Sequence, residues 1–217
     1  VSMIPEETHT PTEEHPIVIG PHTLWGNYPP KIAESEIKPV NESGEIVLSR
    51  VVIPEYIIVH DGPVGDKTAQ NYYVRYKDYI KNVASSEIYP TWPEQAIRAN
   101  VYAQMSYVLN RVFTEWYRAQ GYDFDITNST RYDQSFVPGR DIFENISTIV
   151  DDMIGTYLTR GDSIEPLFAQ YCNGTTVTCP GGLSQWGTVP LAEQGLSAEE
   201  IVRSFYGDDI NFSADAP

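Results

Sequence analysis

Basic residues are scarce in this chain. Fourteen lysines and arginines face thirty aspartates and glutamates, a formal net charge of −16. A surface of that sign repels phosphate, which argues against a nucleic-acid partner and against docking on anionic lipid by charge alone. Long apolar runs are missing as well. No stretch approaches the ~20 residues that a helix needs to cross a bilayer, so no membrane span is expected. No signal peptide is read at the start, and Val1 fits a processed or excised chain. What is present is the composition of a soluble globular domain, 41% hydrophobic and 20% charged. Tyrosine is abundant at 15 residues. A tyrosine-rich acidic surface suits sugars or protein contacts better than polyanions.

Cysteine is nearly absent. Cys172 and Cys179 are the only two, seven apart in a loop-like segment. A zinc site with four protein ligands would need two histidines beside them. His9, His15, His22 and His60 all lie in the first sixty residues without metal-motif spacing. No metal site and no cofactor are expected. As an isolated pair closing a short loop, Cys172 and Cys179 are expected to form a disulfide, with free thiols as the alternative, and a disulfide would imply an oxidising compartment.

Residues 1–45 are acidic and proline-rich, with Lys31 and Lys38 as their bases. Proline fixes φ and removes backbone donors, so this stretch reads as an extended arm or linker. Ile17–Pro21 fits one short strand. Leu24, Trp25 and Tyr28 fit a cluster that packs on the globular part or on a neighbour, which leaves room for a larger protein assembly through the arm.

Residues 46–212 read as one α+β domain with a mostly antiparallel sheet and several packed helices, and 213–217 as a tail. Ile46–Ile53, Glu55–His60 and Asn71–Arg75 carry the β-branched and aromatic residues of strands. The spacing Tyr76, Tyr79, Ile80, Val83 predicts a helix. Thr91-Trp92-Pro93-Glu94 fits a capping box with Thr91 as N-cap. It opens a long helix that buries Ile97, Val101, Met105, Val108, Leu109, Val112, Phe113 and Trp116 on one face and stops at Gly121. A second long helix is expected over 141–158 and a strand over 165–171. Ser197-Ala198-Glu199-Glu200 fits another capping box, before a short helix that ends near Phe205.

Between the first two helices stands Ser85-Ser86-Glu87-Ile88-Tyr89-Pro90-Thr91-Trp92-Pro93-Glu94. Apolar neighbours disfavour the ionised form of a carboxyl, so Glu87 is positioned to keep a proton near neutral pH and to donate it. Arg98 lies eleven residues on. Folded back onto Glu87, it would lower that pKa and weaken the acid role.

Several blocks together resemble the stage II sporulation protein D (SpoIID/LytB) family. They are Ser86-Glu87 with the proline-flanked link into Gln95-Ala96-Ile97-Arg98-Ala99-Asn100 and on to Tyr107, then Tyr132-Asp133-Gln134-Ser135-Phe136, Gly182-Leu183-Ser184-Gln185-Trp186-Gly187, Leu191-Ala192-Glu193-Gln194-Gly195 and Ile201–Gly207. The resemblance covers roughly residues 74–210. The sequence departs from the pattern in Met105, where an arginine is usual, and in a shortened block before Ser184 that lacks its histidine.

The resemblance implies lytic transglycosylation of peptidoglycan glycan strands at the cell envelope or on a spore or cell surface, with Glu87 as acid/base. It implies that Ser184 and Gln185 line the substrate cleft. Gln134 would add hydrogen bonds, Tyr132 and Trp92 would stack sugar faces, and Arg98 completes the candidate binding set. The alternative is a non-catalytic glycan-binding or structural domain of a larger cell-surface or spore-associated assembly. An open groove at Glu87 favours cleavage, and a closed or filled one favours the alternative.

Overall fold

The computed structural model describes residue 51 and residues 53–214. The expected arm, its Ile17–Pro21 strand, its aromatic cluster and most of the Ile46–Ile53 strand lie outside the described residues.

Strand β1 (Tyr56–His60) is the middle of a three-stranded sheet. Antiparallel β2 (Asn71–Arg75) flanks it on one side and the two-residue β3 (Ile126–Thr127) runs parallel on the other. Ile57, Ile58 and Val59 are all buried, as a central strand of β-branched residues requires. Strand β2 runs directly into helix α1 (Tyr76–Glu87), which buries the expected Tyr76, Tyr79, Ile80 and Val83.

Helix α2 (Glu94–Phe113) is the axis of the domain. Sixteen of its twenty residues are buried, so it is enclosed on every side instead of presenting one apolar stripe. Its polar residues are therefore obliged to find partners. Asn100 donates to Thr188 Oγ1 at 3.0 Å, Ser106 Oγ accepts the Leu158 N–H at 2.7 Å, and Asn110 donates to the Pro166 carbonyl at 2.8 Å.

The helix does not begin in a capping box. Its N-cap is Pro93, with no side-chain cap bond. The Trp92 N–H closes a turn onto the Tyr89 carbonyl, and a residue that precedes proline avoids the helical region. Thr91 is left two residues outside that cap. The far end also differs from expectation. Glu115 has φ 48°, in the left-handed region, and the Trp116 N–H reaches back to the Arg111 carbonyl at 3.2 Å. That is a Schellman-type stop in which glutamate occupies the position glycine usually holds. Trp116 leaves the core and is half exposed. Gly121, with φ 90°, ends only a short 3₁₀ turn, Arg118–Gln120.

The expected helix over 141–158 is α3 (Glu144–Met153). Gly155 separates it from strand β4 (Thr156–Arg160), which takes Tyr157 and Leu158. The stretch 165–171 is a strand only at its end, β5 (Tyr171–Cys172). Before it the backbone closes on itself, Ala169 N–H to the Leu167 carbonyl and Gln170 N–H to the Phe168 carbonyl. Such bonds between residues two apart replace a ladder. Strand β5 pairs parallel with β6 (Leu183–Ser184). Helix α4 (Thr188–Glu193) follows. Helix α5 (Ala198–Tyr206) opens on the expected Ser197–Glu200 capping box with both reciprocal bonds formed. Strand β7 (Ile210–Ala214) pairs antiparallel with β4, so the ladder continues two residues past 212. The fold is α+β, with five helices among the described residues and mostly antiparallel pairing.

Cys172 and Cys179 are joined in a disulfide, with Cα atoms 6.0 Å apart. Closing a loop of this length removes about 2 kcal/mol of unfolded-chain entropy. Replacing both cysteines by serine is expected to lower the melting temperature by ~5 °C. Thermal denaturation followed by circular dichroism measures it, and an unchanged melting point would show that the loop needs no covalent closure.

Candidate active site

Glu87 is the last residue of α1 and is fully buried. A helix C-terminus carries partial negative charge, an unfavourable place for a carboxylate. Its partners are neutral. The Ser135 backbone N–H donates to Oε1 at 2.8 Å. The Gln104 and Gln185 side-chain amides donate to Oε2 at 3.1 and 3.4 Å. The Tyr171 hydroxyl bonds the same carboxyl.

A further tier holds these donors. Gln134 accepts from the Tyr79 hydroxyl at 2.8 Å and donates to the Gln104 carbonyl at 2.9 Å and to the Tyr171 hydroxyl at 3.1 Å. The side-chain oxygen of Gln104 is buried without a hydrogen-bond partner. A half-turn of that amide would offer this oxygen to a protonated Glu87, so the pocket is able to serve both protonation states.

Burial pushes the Glu87 carboxyl up. The hydrogen bonds from Ser135, Tyr171 and Gln104 pull it partly back, and it comes to rest at about 7. Burial and the nearby carboxyl together hold the Tyr171 phenol well above its ordinary range. The folded-state value of Glu87 lies above the ordinary 4.5, so the folded domain holds this proton more tightly than the unfolded chain does. The resulting stabilisation is complete below the unfolded value and is lost as pH rises through about 7. Its full size is roughly 3 kcal/mol. The parent should melt at a higher temperature near pH 5 than near pH 8, and Glu87→Gln should remove that part of the slope. Parallel slopes for the two proteins would contradict the raised value.

The other sequence-derived candidates divide. Gln134 and Gln185 are fully buried and join the Glu87 network as described. Ser184 ends β6, and its Oγ accepts the Gly187 N–H at 3.0 Å. Gly174, at φ 82°, packs so closely that a Cβ there would meet Ser184 Oγ at 1.8 Å. The disulfide loop therefore seats directly on the strand that leads to Gln185, and glycine is required at the contact. Trp92 is buried and packs with Tyr89 and Trp186, at ring-centroid distances of 5.9 and 4.8 Å. Arg98 does not turn back onto Glu87. It pairs with Glu94 at 3.2 Å and Asp152 at 2.6 Å. Tyr132 is half exposed and lines a different cavity, next to Trp116 and Phe168.

Three contributors were not anticipated as site residues. Gln104 and Tyr171 touch the carboxyl directly, and the Ser135 N–H makes its shortest bond. A fourth, Asp133, organises the neighbourhood. It is fully buried and accepts from Arg111 Nε at 3.1 Å, the Tyr107 hydroxyl at 3.2 Å, the Thr127 N–H at 3.1 Å, Thr127 Oγ1 at 2.8 Å and the Tyr117 hydroxyl. The signal for Gln104 was an amide set among the apolar residues of a buried helix, where a polar group must have a partner.

A single carboxyl, buried at a helix end among neutral donors, defines a class of site able to give and retake one proton. Within the chain, residues 65–158 match the model of the SpoIID family, stage II sporulation protein. That stretch contains α1, Glu87, α2, Gln134 and Ser135, and bears out the resemblance for the blocks that lie within it. The family suggests a cell-wall-related role, compatible with the cell envelope. No helix among the described residues is long and apolar enough to cross a membrane. No curated protein matches the chain.

Proposed function

We propose that this domain cleaves peptidoglycan glycan strands by lytic transglycosylation, with Glu87 as acid and then base. The observation that carries this reading is the neutral environment of a buried carboxyl that remains substantially protonated near pH 7. In the first step Glu87 gives its proton to the glycosidic oxygen, and the bond from the anomeric carbon to that oxygen breaks. Glu87, now a carboxylate, takes the proton of the muramic acid 6-hydroxyl. That oxygen closes on the anomeric carbon as an internal anhydro ring. The proton is regained, so neither water nor a second carboxylate is required, unlike the paired-acid glycosidases.

Gln104, Gln185 and Tyr171 hold the carboxyl without adding a positive charge that would strip its proton. Tyr89 and Trp92 follow Glu87 closely in the chain and pack with Trp186 into an aromatic cluster. The test is incubation with purified, peptide-stripped glycan strands and mass spectrometry for anhydro-muramic ends. No such ends at any pH between 5 and 8 would refute cleavage.

One observation favours a second reading, a non-catalytic glycan-binding or structural domain. Glu87 is fully buried, so a sugar reaches it only if neighbouring groups move aside. Strand binding without anhydro products would select this reading.

A further inference from the structure

Two of the groups that cover Glu87 come from one short segment. Gln185 donates to Oε2, and the Tyr171 hydroxyl bonds the same carboxyl. Tyr171 opens β5 and Gln185 directly follows β6, a pair only two residues long on each strand. The Leu183 N–H bonds the Gln170 carbonyl at 3.0 Å, the Gln185 N–H the Cys172 carbonyl at 2.9 Å and the Trp186 N–H the Asn173 carbonyl at 3.0 Å. A ladder this short is well below ordinary strand length and needs support from outside itself. The other donors to Glu87, Gln104 and the Ser135 N–H, do not belong to it.

The disulfide loop supplies that support. Cys172 lies in β5, and the Gly182 N–H, just before β6, bonds the Cys179 carbonyl at 2.9 Å. A Cβ at Gly182 would meet Cys179 Sγ at 2.8 Å, and one at Gly174 would strike Ser184 Oγ. The loop therefore presses on both strands through atoms that the disulfide holds together. Its turn is built on Asn173, whose side-chain oxygen accepts the Thr175 and Val177 N–H groups at 3.0 and 2.9 Å. Thr175, Thr176, Val177 and Thr178 are already exposed, so this stretch can leave its seat without uncovering apolar surface of its own.

The disulfide is also within reach of a reagent. Both cysteines line a cavity of about 680 Å³, together with Tyr171 and Arg131. Cys172 is buried and Cys179 half-buried, which makes Cys179 Sγ the sulfur open to attack. A guanidinium at the cavity favours the thiolate form of an entering thiol. One thiolate of a dithiol attacks Cys179 Sγ, the bond between the two Sγ atoms breaks, and Cys172 leaves as a thiolate that takes up a proton. The second thiol of the reagent loses its proton, attacks the mixed disulfide and releases Cys179, which is protonated in turn. The cysteines gain two electrons and two protons, and the dithiol becomes an internal disulfide. The Leu183 carbonyl, 4.0 Å from Cys172 Sγ and 3.7 Å from Cys179 Sγ, is placed to accept from the new S–H groups.

We propose that the Cys172–Cys179 disulfide is a redox latch on Glu87: reduction by a dithiol through this cavity loosens residues 173–187 and lets the segment carrying Gln185 swing off the carboxyl, and reoxidation fastens it. With the disulfide formed Glu87 is fully buried, so the oxidised form is the closed one. The covalent link restricts the loop in the opened state. Its loss should raise the open population about thirtyfold, the scale set by the entropy of closing a loop of this length. The effect on cleavage rests on the glycan-cleavage reading above, while the latch itself does not.

The test uses the full chain, oxidised and after dithiothreitol, with alkylation and mass spectrometry to count free thiols. A pulse of carbodiimide with an amine then labels accessible carboxyls, read residue by residue. Reduction should raise labelling of Glu87 about thirtyfold. Asp133, equally buried but held by Arg111 of α2 and Thr127 of β3, should stay protected. The double variant Cys172→Ser with Cys179→Ser should label like the reduced parent and ignore dithiothreitol. Unchanged Glu87 labelling in the reduced parent overturns the latch. So does an equal rise at Asp133, which would mean general unfolding, and so does a disulfide that dithiothreitol reaches only in denaturant. The two readings fail separately. Glu87 labelling that follows the redox state without anhydro ends in either state supports the latch and sinks cleavage. Anhydro ends released equally in both states, with labelling unchanged, sink the latch alone.

Discussion

Glu87→Gln is expected to lower the release of anhydro-muramic ends by ~10²-fold or more, the usual scale for loss of a general acid. Glutamine keeps the size of the side chain and removes the transferable proton. The pocket is equipped to accept the exchange. The Ser135 N–H still finds an oxygen, and the new amide N–H can donate to the Gln104 oxygen that has no partner in the parent. Folding should therefore survive. At pH 8 the variant should be at least as stable as the parent, because it removes a buried group that would otherwise ionise. The measurement is a time course of anhydro ends by mass spectrometry beside a melting curve at the same pH. Equal rates in the two proteins would remove Glu87 from the chemistry. A variant that is inactive and unfolded would show that the carboxyl is structural.

Asp133→Ala should cause the largest loss of stability of any change described here, about 3–5 kcal/mol. The substitution removes five accepted hydrogen bonds at once and leaves Arg111 as a buried cation without its carboxylate. Breaking one side of a buried ion pair costs more than the pair was worth, because the remaining charge stays desolvated. The damage should spread in two directions. Thr127 joins β3 to the hub, and Arg111 holds the rings of Trp116 and Phe168. A fall in melting temperature of ~10 °C or more is expected. Asp133→Asn keeps one acceptor oxygen and should lose less. A drop of only one or two degrees for the alanine variant would mean that Arg111 finds another partner.

The elements legible in the sequence were those with strong local chemistry. Helix α1 was readable from four apolar residues at helical spacing, β2 from its tyrosines and valine, and α5 from a capping box that the structure forms in full. The Thr91 box failed although its letters were right, because two prolines shape the approach to α2 and their backbone restriction outweighs a side-chain cap. The extra length given to α2 and α3 came from reading apolar spacing through Glu115 and Gly155. A left-handed glutamate is invisible to periodicity, since nothing in its residue type announces the conformation.

Glu87 itself stood out by its setting between prolines and aromatics. Its ligands did not. Gln104, Tyr171 and the Ser135 N–H come from three separate segments, and only the tertiary fold brings them to one carboxyl. Arg98 illustrates the converse. Its sequence distance from Glu87 permitted a pairing, but the face of α2 that it occupies gives it Glu94 and Asp152 instead.

The pairing of β4 with β7 sets a timetable for synthesis. Thr159 and Ser213, whose hydroxyls lie 3.3 Å apart, are 54 residues apart in the chain. At ordinary rates of translation the ribosome needs roughly 3–10 s to cover that interval. Until then β4 has only its inner neighbours, Ser106 and Leu167 bonding Leu158, and its other edge is an unpaired strand. Such an edge is a template for pairing with other chains. The nascent domain is therefore most exposed to aggregation in the interval between the synthesis of β4 and that of β7, the strand that covers this edge.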